Sequence, residues 1–289
     1  MKVAVVGATG VLGRNVITAL LARNHSVHAI ARNPDDFPLL NRVSLFRGDI
    51  LNKGSLTEGL AGCDAALHLA TAIPKRGEPT DWSRNTAVRT TGTRNLLEAS
   101  ADAKVCRYVQ QSMVLVYADG GDQWITEASS IANPSALTKP MLEMEELVAV
   151  STLDWVILRG GVFYGPGTER MYDWNEHALA GSLAMPGGGA DFVSLIHVQD
   201  MADAVAAAVD SPLHREIVNV VDDEPVTYRE LFDFIAYRHG APAPKDGGAL
   251  VFPSLRVSNA RAREQLAWKP RYPSFREGWL SGPMQKLNS

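Results

Sequence analysis

The sequence is short of cysteine, of surplus positive charge and of long apolar runs, and each shortage narrows what the protein does. Its two cysteines, Cys63 and Cys106, have neither a CxxC partner nor a histidine cluster. A disulfide framework and a zinc site are therefore not expected, and both thiols read as core residues of a reducing compartment. The net charge is -4, which argues against nucleic acid as a partner. No apolar run reaches the roughly 18 residues of a membrane span. The N-terminal MKVAVVGATGVLG is broken by glycine too early for a signal peptide. These absences leave a cytoplasmic protein, with no metal, working on a small molecule. What is present suits that: 289 residues, 46% apolar, are enough for one large α/β domain with a smaller appendage.

Short apolar runs alternate with helical segments. Strands are expected at 2–6, 27–31, 43–47, 65–69, 107–111 and 156–159. Helices are expected at 13–23, 85–101 and 141–150, then at 201–210 and 228–238. Such alternation implies right-handed crossovers and a doubly wound parallel sheet, a Rossmann fold. After Gly165 the rhythm loosens, with Gly and Pro clustered at 165–167, 186–189 and 240–253. The expected division is a dinucleotide-binding domain over 1–165 and a smaller C-terminal substrate lobe over 166–289. Residues 192–225 would return partly to the sheet.

The first strand runs into Gly7-Ala8-Thr9-Gly10-Val11-Leu12-Gly13. Gly7 permits a tight turn, Gly10 a close approach of backbone to pyrophosphate, and Gly13 close helix–strand packing. The helix start then offers free N–H groups and the positive end of its dipole to the phosphates. Thr9, Val11 and Leu12 belong to the same cradle. At the end of the second strand, an acidic residue would favour NAD by bonding the adenosine ribose. Ala31-Arg32-Asn33 stands there instead, with Asp35 and Asp36 displaced beyond Pro34. Arg32, helped by Arg14, suits a phosphate, so NADP(H) is the expected cofactor.

With those residues in hand, the chain resembles an extended or atypical short-chain dehydrogenase/reductase of the NAD-dependent epimerase/dehydratase type. The resemblance implies that Asp49 and Ile50 contact adenine, and that His68 to Ala72, with Leu69, Ala70 and Thr71, run beside the cofactor phosphates and ribose. It implies that Asn85 and Gly92 to Leu97 form the central helix. The segment from Leu158 through Gly161 and Val162 to Gly167 would lie near the nicotinamide. Pro186 to Gly189 and His197 to Asp200 match a later loop and helix start. Asp200 is expected to cap that helix, and His197 to be structural.

The family's catalytic unit is a tyrosine four residues before a lysine, with a serine or threonine nearby. Hydride transfer to a carbonyl builds charge on oxygen, and a proton must follow. A phenol of pKa roughly 10, lowered by an adjacent lysine cation, supplies it. Lys139 matches the lysine, but Ser135 holds the tyrosine's place, and the family's serine aligns near Met113 with Ser112 one residue off. Tyr117 and Tyr164 are replacement candidates, as are Tyr172, Asp173 and His177. Trp82, Met113, Met171, Trp174, Met185 and Phe192 could line an apolar substrate pocket. Val193 stands where sugar-nucleotide enzymes of the family carry a phosphate-gripping arginine, which argues against such substrates. Three functions remain open. One is an NADPH-dependent reductase of a small, fairly apolar carbonyl or enone with a non-standard proton donor. The others are a non-catalytic NADP(H)-binding sensor, and an epimerase or dehydratase. The protein would be a monomer, or a homodimer through the helices at 85–101 and 141–150.

Overall fold

The run KVAVV carries almost nothing but β-branched and small apolar residues, and it becomes a strand buried on both faces, as a central parallel strand requires. In the computed structural model, which describes residues 1–35, 37, 41–74, 81–250 and 252–280, this strand β1 (Lys2–Val6) is followed by helix α1 (Val11–Ala22). Strands β2 (Ser26–Ala31), β3 (Val43–Arg47), β4 (Ala65–His68) and β5 (Arg107–Met113) follow in turn. Parallel pairing joins β3 to β2, β2 to β1, β1 to β4 and β4 to β5. Asp154–Gly160 and then Glu216–Val220 complete a seven-stranded sheet beyond β5. The strand order reverses on either side of β1, and ligands of such sheets bind at that switch point, outside the carboxyl ends of the strands.

The expected elements are present with their ends moved by a few residues. The central helix is a finding of another kind. Ser83–Ala87 and Thr93–Asp102 are α-helical, but Val88–Gly92 between them is a π-turn. Gly92 lies against the Ile50 side chain, and an added Cβ would come within 3.0 Å of it. The lysine helix spans Lys139–Ala149, with Pro140 in its first turn. Leu195–His197 pairs in parallel with Val162–Tyr164 rather than with the main sheet.

By its contacts the chain forms two compact units, each drawn from separate stretches: residues 1–112, 134–158 and 202–218 in one, and 113–133, 159–201 and 219–289 in the other. The core of the first packs Ala4, Ile30, Leu60, Leu96, Val148 and Ile157. Arg107, 5% exposed, is anchored within it. Its guanidinium bonds Asp154 at 2.9 Å, the Ala208 carbonyl at 2.7 Å and the Leu213 carbonyl. The second unit is rich in aromatic residues: Tyr164, Trp174, Phe232, Phe275 and Trp279 share one cluster. Cys63 is buried as expected, but Cys106 is exposed, because it precedes β5 in the turn that delivers the chain to the sheet.

Candidate active site

Gly7 takes φ 93°, a conformation costly for any residue with a Cβ, and a Cβ there would meet the Ala70 amide nitrogen at 2.6 Å. A Cβ on Gly13 would strike the Gly7 carbonyl. The loop is thus pressed between α1 and the end of β4. Helix α1 has Gly10 as its N-cap, with no side chain bonded over its first amides, so they remain available to an anion. Val11 is exposed at this helix start while Leu12 is buried beneath it. Thr9, Arg14, Arg32 and Asn33 line an open cleft of about 500 Å³, counting its solvent side. Arg14 Nε donates to the Thr9 carbonyl at 3.0 Å, and its guanidinium lies over Phe37. Asp35 is engaged by Arg47 at 2.6 Å, and Arg47 also donates to the Arg32 carbonyl at 3.2 Å. The one carboxylate described beyond β2 is therefore paired, and the cleft itself is cationic. This architecture fits a dinucleotide cofactor.

The remaining loops tie back to the sheet. The Leu69 amide donates to Val6 at 2.9 Å, leaving Ala70 part-buried and Thr71 exposed. Asn85 accepts from the Ala72 amide at 3.1 Å. Asp49 accepts from Leu51 at 3.0 Å, and the Ile50 carbonyl accepts from Asn95 at 2.9 Å. The Gly161 amide donates to Val220 and that of Val162 to Ser194.

Lys139 is exposed at the first position of its helix. Ser135 closes the turn before it: its hydroxyl accepts from the Thr138 amide at 3.1 Å and bonds the Thr138 hydroxyl at 3.0 Å. The Ser135 oxygen is thereby a structural capping group of the Ser135–Thr138 turn. Ser112 is fully buried, and its hydroxyl donates to Glu145 at 2.6 Å. Met113 beside it is part-buried.

The tyrosines differ sharply in what their hydroxyls do. Tyr117 is fully buried and donates to Asn219 at 2.8 Å, and burial raises its pKa. Tyr164 donates to the Ser274 carbonyl at 3.3 Å, and burial, then the neighbouring Asp222 carboxyl, push its phenol far up. Tyr172 is exposed, as is His177, whose Nδ1 meets Ser182 at 2.9 Å. Trp174 and Met185 are core residues, Met171 is part-buried, and Trp82 is exposed. Phe192 and Val162 line a small apolar cavity of the second unit together with Val114, Phe252, Leu255 and Tyr228. Asp200 lies in the first turn of the helix Val198–Asp210. Its carboxylate accepts from the Arg271 and Tyr272 amides at 2.8 and 3.0 Å, because the C-terminal segment passes over it. His197 Nδ1 accepts from the Gln199 amide at 3.2 Å.

The family model described as "NAD dependent epimerase/dehydratase family" matches residues 3–220. The chain belongs to that family. The chain is similar to a Streptomyces 3-diazoavenalumate denitrifying reductase, 34% identical over 96% of this chain and 99% of the relative. A ketoreductase of Stigmatella aurantiaca acting on a 4-hydroxy-2-methyl-3-oxo-4-farnesyl-3,4-dihydroquinoline-1-oxide is 25% identical over 96% of this chain and 83% of its own length. Among solved structures, the dTDP-glucose 4,6-dehydratase DesIV of Streptomyces venezuelae, with NAD bound, superposes with a TM-score of 0.84 at 23% identity over 96% and 94% of the two chains. Family membership makes this chain a nicotinamide-dependent oxidoreductase. Among the described residues, no helix is long and apolar enough to cross a membrane.

Two features of this epimerase/dehydratase family member escaped the sequence. Tyr228 reads only as a helix start, since Thr227 and Glu230 form a complete capping box around it. Asp222 sits in a run of two aspartates and a glutamate that looks like a solvated turn, yet it is 3% exposed.

Proposed function

We propose that the protein is an NADP(H)-dependent reductase of a small, largely apolar carbonyl or enone-like compound. The observation that carries this reading is the cleft of Thr9, Arg14, Arg32 and Asn33 beside the glycine loop, with Asp35 neutralised by Arg47. A 2′-phosphate placed there meets guanidinium groups and, among the described residues, no unpaired carboxylate. When bound, the reduced nicotinamide supplies the hydride. Gly7, Gly10 and Gly13 admit the pyrophosphate, Arg32 and Arg14 hold the adenosine phosphate, and Asp49 and Ile50 flank the adenine. Lys139, free of any capping role for its side chain, orients the ribose. Leu69, Ala70, Thr71, Gly161 and Val162 complete the cofactor wall. Reductase relatives support the reaction class.

A second substrate class is favoured by Ser135, whose hydroxyl is committed to its turn. Reductive removal of dinitrogen from an aryl diazonium needs no acid: the hydride joins the ring carbon and the carbon–nitrogen pair leaves with nitrogen. A relative named for denitrifying a diazo compound fits a site that has given up its phenol at 135.

The test has two arms. NADPH and NADH binding is measured by calorimetry, and NADPH oxidation is then followed against aromatic aldehydes, ketones, enones and an aryl diazonium, with gas evolution recorded for the last. Tighter binding of NADPH with turnover of any member supports the proposal. Tight binding with no turnover would move the protein to a cofactor-responsive regulator, and equal affinity for the two cofactors would remove the NADP assignment.

A further inference from the structure

The π-turn Val88–Gly92 buries a charged side chain that the proposed reaction does not use. Arg89 is 2% exposed. Burial lowers its guanidinium to about 10, and the Glu145 carboxylate opposes that fall, so Arg89 is a cation at neutral pH. Two threonine hydroxyls hold the turn in shape: Thr93 donates to the Arg89 carbonyl at 2.5 Å and Thr90 to the Thr86 carbonyl at 3.1 Å. Turns of this kind are rare and frequent at functional sites.

Few bonds offset that burial. Arg89 Nη1 donates to Met144 Sδ, a weak acceptor, at 3.8 Å, and the buried Nε has no hydrogen-bond partner among the described residues. The counter-charge is Glu145, itself buried, which accepts from the Ser112 hydroxyl at 2.6 Å. A buried ion pair is weak evidence for stability, because desolvation cancels much of the attraction. This pair instead joins segments that the cofactor depends on. Met144 and Glu145 lie on the helix that starts at Lys139. His68, which the Arg89 charge touches as well, ends β4 just before Leu69, Ala70 and Thr71. Asn85, one turn ahead of Arg89, accepts from the Ala72 amide. All of these residues belong to the same compact unit as the glycine loop.

We infer that Arg89 is a positioning residue for the nicotinamide half of the coenzyme: with Glu145 it locks the lysine helix to the π-turn and so sets where the Lys139 ammonium meets the ribose. This rests on the cofactor reading above. Opposite charges in a low-dielectric interior attract with a steep dependence on distance, so the pair fixes the spacing of the two helices more sharply than apolar contact does. The Ser112 hydroxyl serves this lock rather than a substrate. Removing both charges keeps the fold and lets Lys139 drift. A shift of about 1 Å at a site of reaction can cost about 100-fold, which is the scale on which such a lock matters.

The experiment is a thermodynamic cycle on four proteins: wild type, Arg89→Met/Glu145→Gln, Lys139→Ala, and the three substitutions together. The Gln keeps an oxygen for Ser112. Calorimetry reads the affinity for NADPH and for 2′,5′-ADP, which carries only the adenosine end, and melting confirms that each protein is folded. The inference expects the charge-free pair to bind 2′,5′-ADP as wild type does and NADPH about fivefold or more weakly. In the Lys139→Ala background the same change should alter NADPH affinity by less than about twofold, since coupled groups are not additive. An equal NADPH loss in both backgrounds, or a parallel loss of 2′,5′-ADP, would make the pair a structural support only and overturn the inference while leaving the cofactor reading intact. Should the charge-free pair not fold, Glu145→Gln alone enters the same cycle with the same expectations. A wild type that prefers NADH would end the NADP reading, and the cycle run with NADH and ADP then still decides the lock. Wild type that binds none of these ligands would remove both.

Discussion

Arg32 and Asp35 stand three residues apart after β2, and their neighbours decide which of them meets a cofactor. Arg47 takes Asp35 at 2.6 Å. Arg32 is left at the cleft with its guanidinium exposed. The pairing with Arg47 joins a residue of β3 to the loop beyond β2, and nothing local announces it, whereas the arginine itself is plain in the sequence. Hydrogen bonds to a charged group contribute about 1.5–3 kcal/mol, so Arg32→Asp should weaken NADPH binding by roughly 10–100-fold. NADH binding should hold or improve, and calorimetry on both cofactors checks this. At Ser135 the residue type was legible but its duty was not. A Ser135→Tyr substitution would remove the group that accepts from Thr138, and it is expected to lower Tm by loosening the turn before Lys139, without restoring a reductase rate. A rise in kcat on this substitution, read in the NADPH oxidation assay, would contradict the capping role.

At the scale of elements, legibility tracked how local each cause is. The strands of the sheet announce themselves because parallel strands are buried on both faces and read as continuous apolar runs. The glycine loop announces itself because its spacing is set by one turn and one phosphate. The π-turn Val88–Gly92 does not, since it depends on Gly92 meeting Ile50 and on the buried Arg89 reaching Met144 from the neighbouring helix. Such turns cluster at functional sites, and this one precedes the helix that packs beside Lys139's. The cavity around Tyr228 was invisible for the same reason: residues 114, 162, 192, 228 and 255 share no sequence pattern. Arg107 is a further case. It reads as the polar start of a strand, yet it fastens β5 to Asp154 and to the carbonyls of Ala208 and Leu213. Asp154 is itself 38% exposed, so removing Arg107 costs chiefly by leaving the Ala208 and Leu213 carbonyls without a donor, about 1–3 kcal/mol per buried group. Arg107→Met should lose about that much in urea denaturation, while Arg23→Met, at the exposed pair with Asp210, should lose under about 1 kcal/mol.

At the scale of the whole molecule, buried titratable groups pull stability in opposite directions with pH. Burial, with the Arg89 charge second, brings His68 down to about 3, and burial with Arg271 brings His197 down to about 4. Both histidines are neutral in the fold and charge more readily once unfolded. Between those values and the unfolded histidine range near 6.5, the unfolded chain binds more protons, so stability rises with pH and then levels off. Asp222 acts the other way. Burial, with the nearby Asp200 and Asp223 charges, raises its carboxyl well above the ordinary range, while the Tyr164 hydroxyl and the His197 amide oppose that rise without forming a good hydrogen bond to it. The folded state then holds a proton that the unfolded chain has released from about pH 4 upward, so this group subtracts stability as pH rises, until its folded pKa is passed. The histidine contribution levels off near pH 6.5, and any decline in stability above that point belongs to Asp222. Melting temperatures measured from pH 5 to 9 should show that decline in wild type, and Asp222→Asn, which removes the titration while keeping the shape, should flatten it. A decline of equal slope in both proteins would place its origin elsewhere.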